Sequence, residues 1–377
     1  MSEAATSPPR ARSFAEDVKA EVDAYFVRAA VSRRGDHRLV VKALTLGGGY
    51  LGCYLLILSG ALPLPVMWVL CLIMGVCMAG LGFTLCHDAL HGAFSERPGL
   101  NRWLGYSFEA IGANGYMWRI THNRLHHVYT NLHGYDDDVD VSPLIRLSLH
   151  APLRPIHRYQ HIYAFAAYTL STLFWIFAKD YAYFLRRQLG PYRDMRHPPA
   201  AWAGLLLGKF AYYAVMIALP LLVLDITWWQ FLIGFLTVHL VAGLILGVVF
   251  QLAHVVEATE HPVDAPAAPT PSLWMETQLR TTHDFARGSR VLDWYLGGLN
   301  FQIEHHLFPR IAHVHYRALS PIVEAVAARH GIPYHASRTL RDAISSHSRM
   351  LKRLGQPAAA PLLAPVAGTT PCPVVGQ

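Results

Sequence analysis

Histidines recur in this sequence at spacings suited to gripping a metal. In His87-Asp88-Ala89-Leu90-His91 two imidazoles stand four residues apart, so on a helix they share one face, one turn apart. His122-Asn123-Arg124-Leu125-His126-His127 repeats that spacing and adds His127, which a regular helix points about 100° further round. Gln302-Ile303-Glu304-His305-His306 carries another adjacent pair, and His254 and His283 are single candidates. Each cluster has a bland alternative: a histidine pair suits the negative end of a helix dipole, and three histidines can decorate a polar helix. Taken together, the imidazoles outnumber the three or four that one zinc site uses. They suit two metal ions, and imidazole serves iron, copper and zinc alike. Asp88 and Glu304 sit beside these rings, either to orient them or as ordinary helix polarity. The chain has 22 histidines, and about half read as surface residues, among them His37, His197, His330, His335 and His347.

The elements that must carry these groups are apolar. Of 377 residues 53% are hydrophobic and 15% charged, against about 25% charged in soluble domains. Four runs, near 43–60, 65–85, 202–222 and 229–252, are long enough to cross about 30 Å of hydrocarbon. The first histidine cluster lies at the exit of the second run and His254 at the exit of the fourth. The connectors ALPLP and LDIT hold no Lys or Arg. Arg33, Arg34, Arg38 and Lys42 precede the first run, and Arg97, Arg102, Arg186, Arg187 and Arg196 follow the second. By the positive-inside rule both termini are cytoplasmic. Lys209 is then near enough to its span's end to snorkel. Residues 162–178 form one more apolar run. If it crossed, the motifs would face opposite compartments, so it reads as an interfacial or half-embedded helix. Residues 14–32 read as an amphipathic helix on the membrane surface.

The expected fold is an all-α integral membrane protein with four spans in two hairpins and a helical cytoplasmic cap around the histidines. Its organisation is an N-terminal segment over 1–40, a main domain over 41–335 and a tail over 336–377, polar and then Pro/Ala-rich, with disorder expected over 356–377. No internal repeat and no signal-peptide pattern is visible. Cys53, Cys71, Cys77 and Cys86 fall in or beside apolar runs and Cys372 in the tail. With no CxxC pair they make neither a zinc ribbon nor a disulfide framework. The net charge of +7 does not form the aromatic-interleaved stripe of a nucleic-acid binder. A metal transporter would place ionisable groups near mid-bilayer. Only His239 stands there, and it reads as a helix-packing donor. A membrane cytochrome would need paired histidines within spans.

The boxes HDALH, HNRLHH and QIEHH resemble the three histidine boxes of membrane fatty acid desaturases. GGLNFQIEHHLFP (297–309) is similar to the front-end group, and HHVYTNLHGYDDDVD (126–140) to bacterial acyl-CoA and linoleoyl-CoA-type members. The resemblance covers about residues 40–335. It implies that His87, His91, His122, His126, His127, His305 and His306 bind two iron ions, with His254 as a further ligand. Gln302 stands where many desaturases have histidine, as in the front-end group, which leaves one position to Gln302, water or His283. It also implies O2 as co-substrate and a cis double bond as product. The substrate would be a fatty acyl thioester or lipid, lying in an apolar tunnel between spans and cap. No HPGG haem motif is present and only about 40 residues precede the first span, so a separate electron donor is expected, a ferredoxin or cytochrome b5-like protein with its reductase. Trp118 and Arg119 either border the acyl path or anchor at the interface. Arg146, Arg154, Arg158, Arg186 and Arg187 either meet phosphates of the substrate or attract anionic lipid. Asp136, Asp137, Asp138 and Asp140 either stand behind the ligands or form a solvated loop. The same scaffold also serves hydroxylases and ketolases, the nearest alternative. The expected location is a bacterial inner membrane, with the site on the cytoplasmic side.

Overall fold

The computed structural model describes residues 12–140, 142–264 and 270–357. Cys372 and the Pro/Ala-rich stretch over 358–377 lie outside the described residues. The chain opens with α1 (Phe14–Ala29), started by a capping box between Ser13 and Glu16. Helix α2 (His37–Leu58) begins at an Asp36 cap, and α3 spans Leu64–His91. Short α4 (Gly115–Trp118) follows. Then come α5 (Pro155–Tyr168) and α6 (Ser171–Leu185), α7 (Pro199–Val223) and α8 (Trp228–His254). Four of these, α2, α3, α7 and α8, are long and apolar enough to cross a membrane. The run read as half-embedded is broken: α5 and α6 meet at a bend of 72°.

Small residues let these helices approach. A Cβ on Gly75 of α3 would lie 2.7 Å from the Val238 carbonyl oxygen of α8, so only glycine allows this contact. At the α5–α6 bend, Ser171 Oγ donates to the Gly243 carbonyl (3.0 Å) and Thr172 Oγ1 to that of His239 (2.9 Å). His239 is indeed a packing group: its Nε2 meets the Tyr212 hydroxyl of α7 at 2.8 Å. Lys209 does not snorkel. It is buried, with Nζ on Asp180 (2.7 Å) and on the carbonyls of Gly112 and Trp175, because a charge taken out of water needs a paired, hydrogen-bonded partner. Cys53, Cys71, Cys77 and Cys86 are buried free thiols.

Further elements gather where α3 and α8 end. Among them are α9 (Pro271–Thr281), β1 (Asp284–Phe285), α10 (Gln302–Leu307), α11 (Tyr316–Arg329), β2 (Ala336–Ser337) and α12 (Leu340–Leu354). β1 and β2 pair in parallel, Asp284 opposite Ala336. Two sequence expectations change here. The amphipathic α1 does not lie bare on a membrane; Phe14 and Val18 pack with Met275, Leu279, Ile303 and Val323 of this layer. The stretch after 340, expected as a polar tail, is a helix whose Met350, Leu351 and Leu354 pack against Tyr168 and Val255. His347, expected at the surface, is fully buried. Its Nδ1 meets the Val255 carbonyl at 2.6 Å and its Nε2 the Tyr168 hydroxyl at 3.0 Å.

Candidate metal centre

All three histidine boxes sit on or beside departures from regular helix. Just before the first box α3 widens into a π-helical turn over Gly82–Cys86, a feature that recurs at functional sites. The extra residue rotates His87–His91 so that His87, Asp88 and His91 are all buried. Gly92, at φ +74°, then ends the helix in the left-handed conformation that glycine tolerates. The second box is itself π-helical over Arg119–His126, closed by a bond from the His127 amide to the His122 carbonyl (3.0 Å). Residues five apart therefore come close, and His127, expected about 100° round from His126, meets His122 edge-on. His127 Nε2 lies 3.2 Å from His122 Nε2, while the rings of His122 and His126 stack at 4.9 Å. The third box is carried by α10. It is preceded by Gly297 and Gly298, both at positive φ. A Cβ at Gly297 would come within 2.3 Å of the Phe83 carbonyl oxygen, so glycine lets this loop dock on the π turn of the first box.

The eight candidate imidazoles converge. His87, His91, His122 and His305 form one group, and His126, His254 and His306 a second. In each, one nitrogen per ring lies within 4.8 Å of all the others. His127 stands between the groups, in a set with His305 and His306. His126, His254, His305 and His306 are fully buried.

The donor chemistry fits metal ions. His126 directs Nδ1 at Asp136 Oδ2 (3.0 Å), His306 directs Nδ1 at Gln278 Oε1 (2.8 Å), and His305 directs Nδ1 at the Tyr316 hydroxyl (3.3 Å). In all three rings the opposite nitrogen, Nε2, is buried without a hydrogen-bond partner. A buried polar atom ordinarily finds a partner, and a ligating histidine ties its outer nitrogen to a neighbour and turns the other inward. His91 Nε2, His127 Nδ1 and His254 Nδ1 are likewise unpartnered. Burial pushes His122 down to about 3, and burial beside other imidazoles holds His127, His305 and His306 well below the usual histidine range. These rings are neutral near pH 7, the form that offers a lone pair. Burial acts against charge on His126 too, but the Asp136 carboxylate outweighs it and lifts that imidazole above its ordinary value.

Other candidates fall differently. Gln302 is inside the cluster, its amide nitrogen 3.0 Å from His254 Nε2. His283 is not: Nδ1 meets the Leu252 carbonyl (3.2 Å) and Nε2 the Ser337 hydroxyl (3.1 Å). Glu304 turns away from the imidazoles and accepts from the Tyr334 hydroxyl (2.8 Å), which also meets Asp284 (2.6 Å). Trp118, rated above as path or anchor, stacks on His122 at 4.3 Å. Arg146, offered as a phosphate contact, is buried and donates to the carbonyls of Ala151, Leu149 and Leu354. The aspartate run divides. Asp136 is fully buried behind His126, and Asp138 lies 3.4 Å from His122 Nδ1 and 3.5 Å from Lys179 Nζ. Sequence reasoning missed Gln278 and Tyr316, which stand in unremarkable helical contexts with no local signal.

Comparison with known proteins points to one family. The fatty acid desaturase family model matches residues 63–338. An sn-1 linoleoyl-lipid 6-desaturase of Synechocystis sp. is 32% identical over 92% of this chain and 96% of its own length. One of Arthrospira platensis is 31% identical over 90% of this chain and 92% of its own. An acyl-lipid (8-3)-desaturase of Physcomitrium patens is 32% identical over 90% of this chain and 71% of its own.

Proposed function

The chain belongs to the fatty acid desaturase family, and on that premise we propose that its imidazole cluster holds two iron ions and acts on the acyl chains of membrane lipids. It is a fatty acyl desaturase, an oxidoreductase. The finer reading is insertion of a cis double bond between an existing one and the carboxyl end, at the 6-position of a linoleoyl-type chain by likeness to the cyanobacterial relatives.

The observation that carries the metal reading is the set of inward imidazole nitrogens, each on a ring tied outward or buried among its fellows. His87, His91, His122 and His305 would hold one ion, His126, His254 and His306 the other, with His127 reaching from between. Gln302, beside His254, closes the remaining side. Bound iron with O2 and two electrons supplies an oxidant strong enough to take hydrogen from unactivated methylene carbons, which acid–base groups cannot do. Asp136 and Gln278 fix ring orientation and tautomer. Trp118 covers His122 and, with Phe108, Trp175, Thr121, Lys179 and Asp180, lines a cavity of about 10 Å³ beside it, room for one water. The arginine distribution supports two hairpins with the histidine end facing the cytoplasm of a bacterial inner membrane. A separate ferredoxin or cytochrome b5-like protein with a reductase would then deliver electrons.

The test is expression in a host of defined lipid composition, followed by mapping of new double bonds and of the lipid class that bears them. A new cis bond at the 6-position of intact lipids is expected, and none with His126→Ala. Product that retains an oxygen atom from O2 would replace this reading with the hydroxylase or ketolase one.

A further inference from the structure

One buried cation has no part in the account so far. Lys42 of α2 is 3% exposed, and its Nζ lies 2.7 Å from His313 Nε2 and 5.7 Å from the centre of the Trp294 ring. His313, also buried, follows α10 in the chain. Its Nδ1 is 2.9 Å from Asp88 Oδ2, and its backbone amide donates to the same oxygen at 3.4 Å. The other oxygen of Asp88 faces His87 Nδ1 at 3.6 Å, an electrostatic contact longer than a hydrogen bond. Residues from three distant segments thus form one line that ends on the first histidine box.

Donor and acceptor chemistry gives this line a direction. An ammonium only donates, so His313 Nε2 must accept, and the single proton of the neutral ring sits on Nδ1, where it donates to Asp88. Asp88 is thereby held as an acceptor, one oxygen engaged by His313 and the other turned to His87. The carboxylate charge on that side favours the tautomer with its proton on Nδ1, which leaves Nε2 with its lone pair for a metal. Lys42 and Asp88 offset each other's charge across the neutral ring, so the line is buried with no net charge. In the second imidazole group Asp136 and Gln278 meet His126 and His306 directly.

We propose that Lys42 and His313 are positioning residues of the metal centre, setting the orientation and tautomer of His87 through Asp88 and so the occupancy of the His87–His91–His122–His305 group. The inference rests on the reading of the cluster as a two-iron centre. Its test uses the full-length chain, purified in detergent, loaded with 57Fe and followed by iron per chain and by Mössbauer spectra. Lys42→Met and His313→Leu are expected to weaken one of the two irons about 10–100-fold, taking the stoichiometry from two toward one at limiting iron, with helical circular dichroism unchanged. His313→Asn, whose amide nitrogen replaces Nδ1–H, retains both irons. Lys42→Met combined with His313→Asn is no worse than His313→Asn alone, because an amide has no tautomer to fix. Wild-type iron in Lys42→Met and His313→Leu overturns the proposal, as does a His313→Asn protein as poor as His313→Leu. Should His313→Leu fail to fold, Lys42→Met, which leaves the imidazole in place, decides. A wild-type chain that takes up no iron sinks the metal reading itself, and this inference with it.

Discussion

Helices α3 and α8 run side by side from one kind of environment to another. Their first halves, with the ends of α2 and α7, line an apolar cavity of about 340 Å³ bordered by Met67, Trp68, Cys71, Met74, Phe235 and Val238. Their last turns deliver His87, His91 and His254 into a buried cluster in which outer nitrogens are assigned to named partners. The same two helices are therefore loosely filled at one end and fully specified at the other. Apolar packing is non-directional and tolerates exchange of volume. A buried polar group left without its partner costs the full desolvation penalty. Position is thus dictated at the histidine end and only bounded at the other, which matches where the proposed metal centre sits.

Breaking the histidine end should have the largest effect. His126→Ala or His305→Ala is expected to abolish double-bond formation, a loss of more than about 100-fold, and to lower iron per chain, as read by lipid analysis and metal content. Asp136→Asn keeps a hydrogen-bond acceptor facing His126 Nδ1 but removes the charge. Iron affinity should fall about 10–100-fold, measured by competition with a chelator, and an unchanged affinity would show that the carboxylate only shapes the loop.

The junction between α12 and α8 tests the same contrast by pH. Burial pushes His347 down to about 4, with its ring between the Val255 carbonyl and the Tyr168 hydroxyl. Above the unfolded value of about 6.5 both states are neutral and the buried ring costs nothing. As pH falls through the window from about 6.5 to about 4, the unfolded chain takes a proton that the folded chain refuses. Stability therefore declines by up to about 3 kcal/mol, and the slope in this window should flatten in His347→Gln, as read by thermal unfolding in detergent across pH. The smallest effect belongs to the cavity. Met74→Ala removes a buried side chain from a wall that is already loose, so it should cost about 2 kcal/mol and leave double-bond formation within about twofold. A large loss of activity there would mean that the two ends are coupled.

Much of the architecture could be read along the chain. Apolar runs mark the spans because hydrocarbon accepts only long stretches of internally bonded, apolar helix. The expected runs 65–85 and 229–252 fall within Leu64–His91 and Trp228–His254. The converging imidazoles were equally legible, four as i,i+4 pairs, His127, His305 and His306 as adjacent neighbours and His254 at a span exit, since each of these is a local property. Other features were not. The direction of His127 depends on a π turn, and a one-residue insertion in hydrogen bonding leaves no mark on hydropathy. The helix after Leu340 looked polar because its buried face, Met350, Leu351 and Leu354, is a minority of its residues and acquires meaning only against Tyr168 and Val255.

By itself, then, the sequence determined which segments are apolar enough to span, which residues can ligate, and the family, because each is a matter of composition or short spacing. Only the tertiary structure decided that Gln302 lies inside the cluster while His283 is tied to Leu252 and Ser337, that Glu304 turns toward Tyr334, and that Lys42 reaches Asp88 through His313. Each of these is a choice among hydrogen-bond partners far apart in the chain, and such choices are made only when burial removes water as the alternative partner.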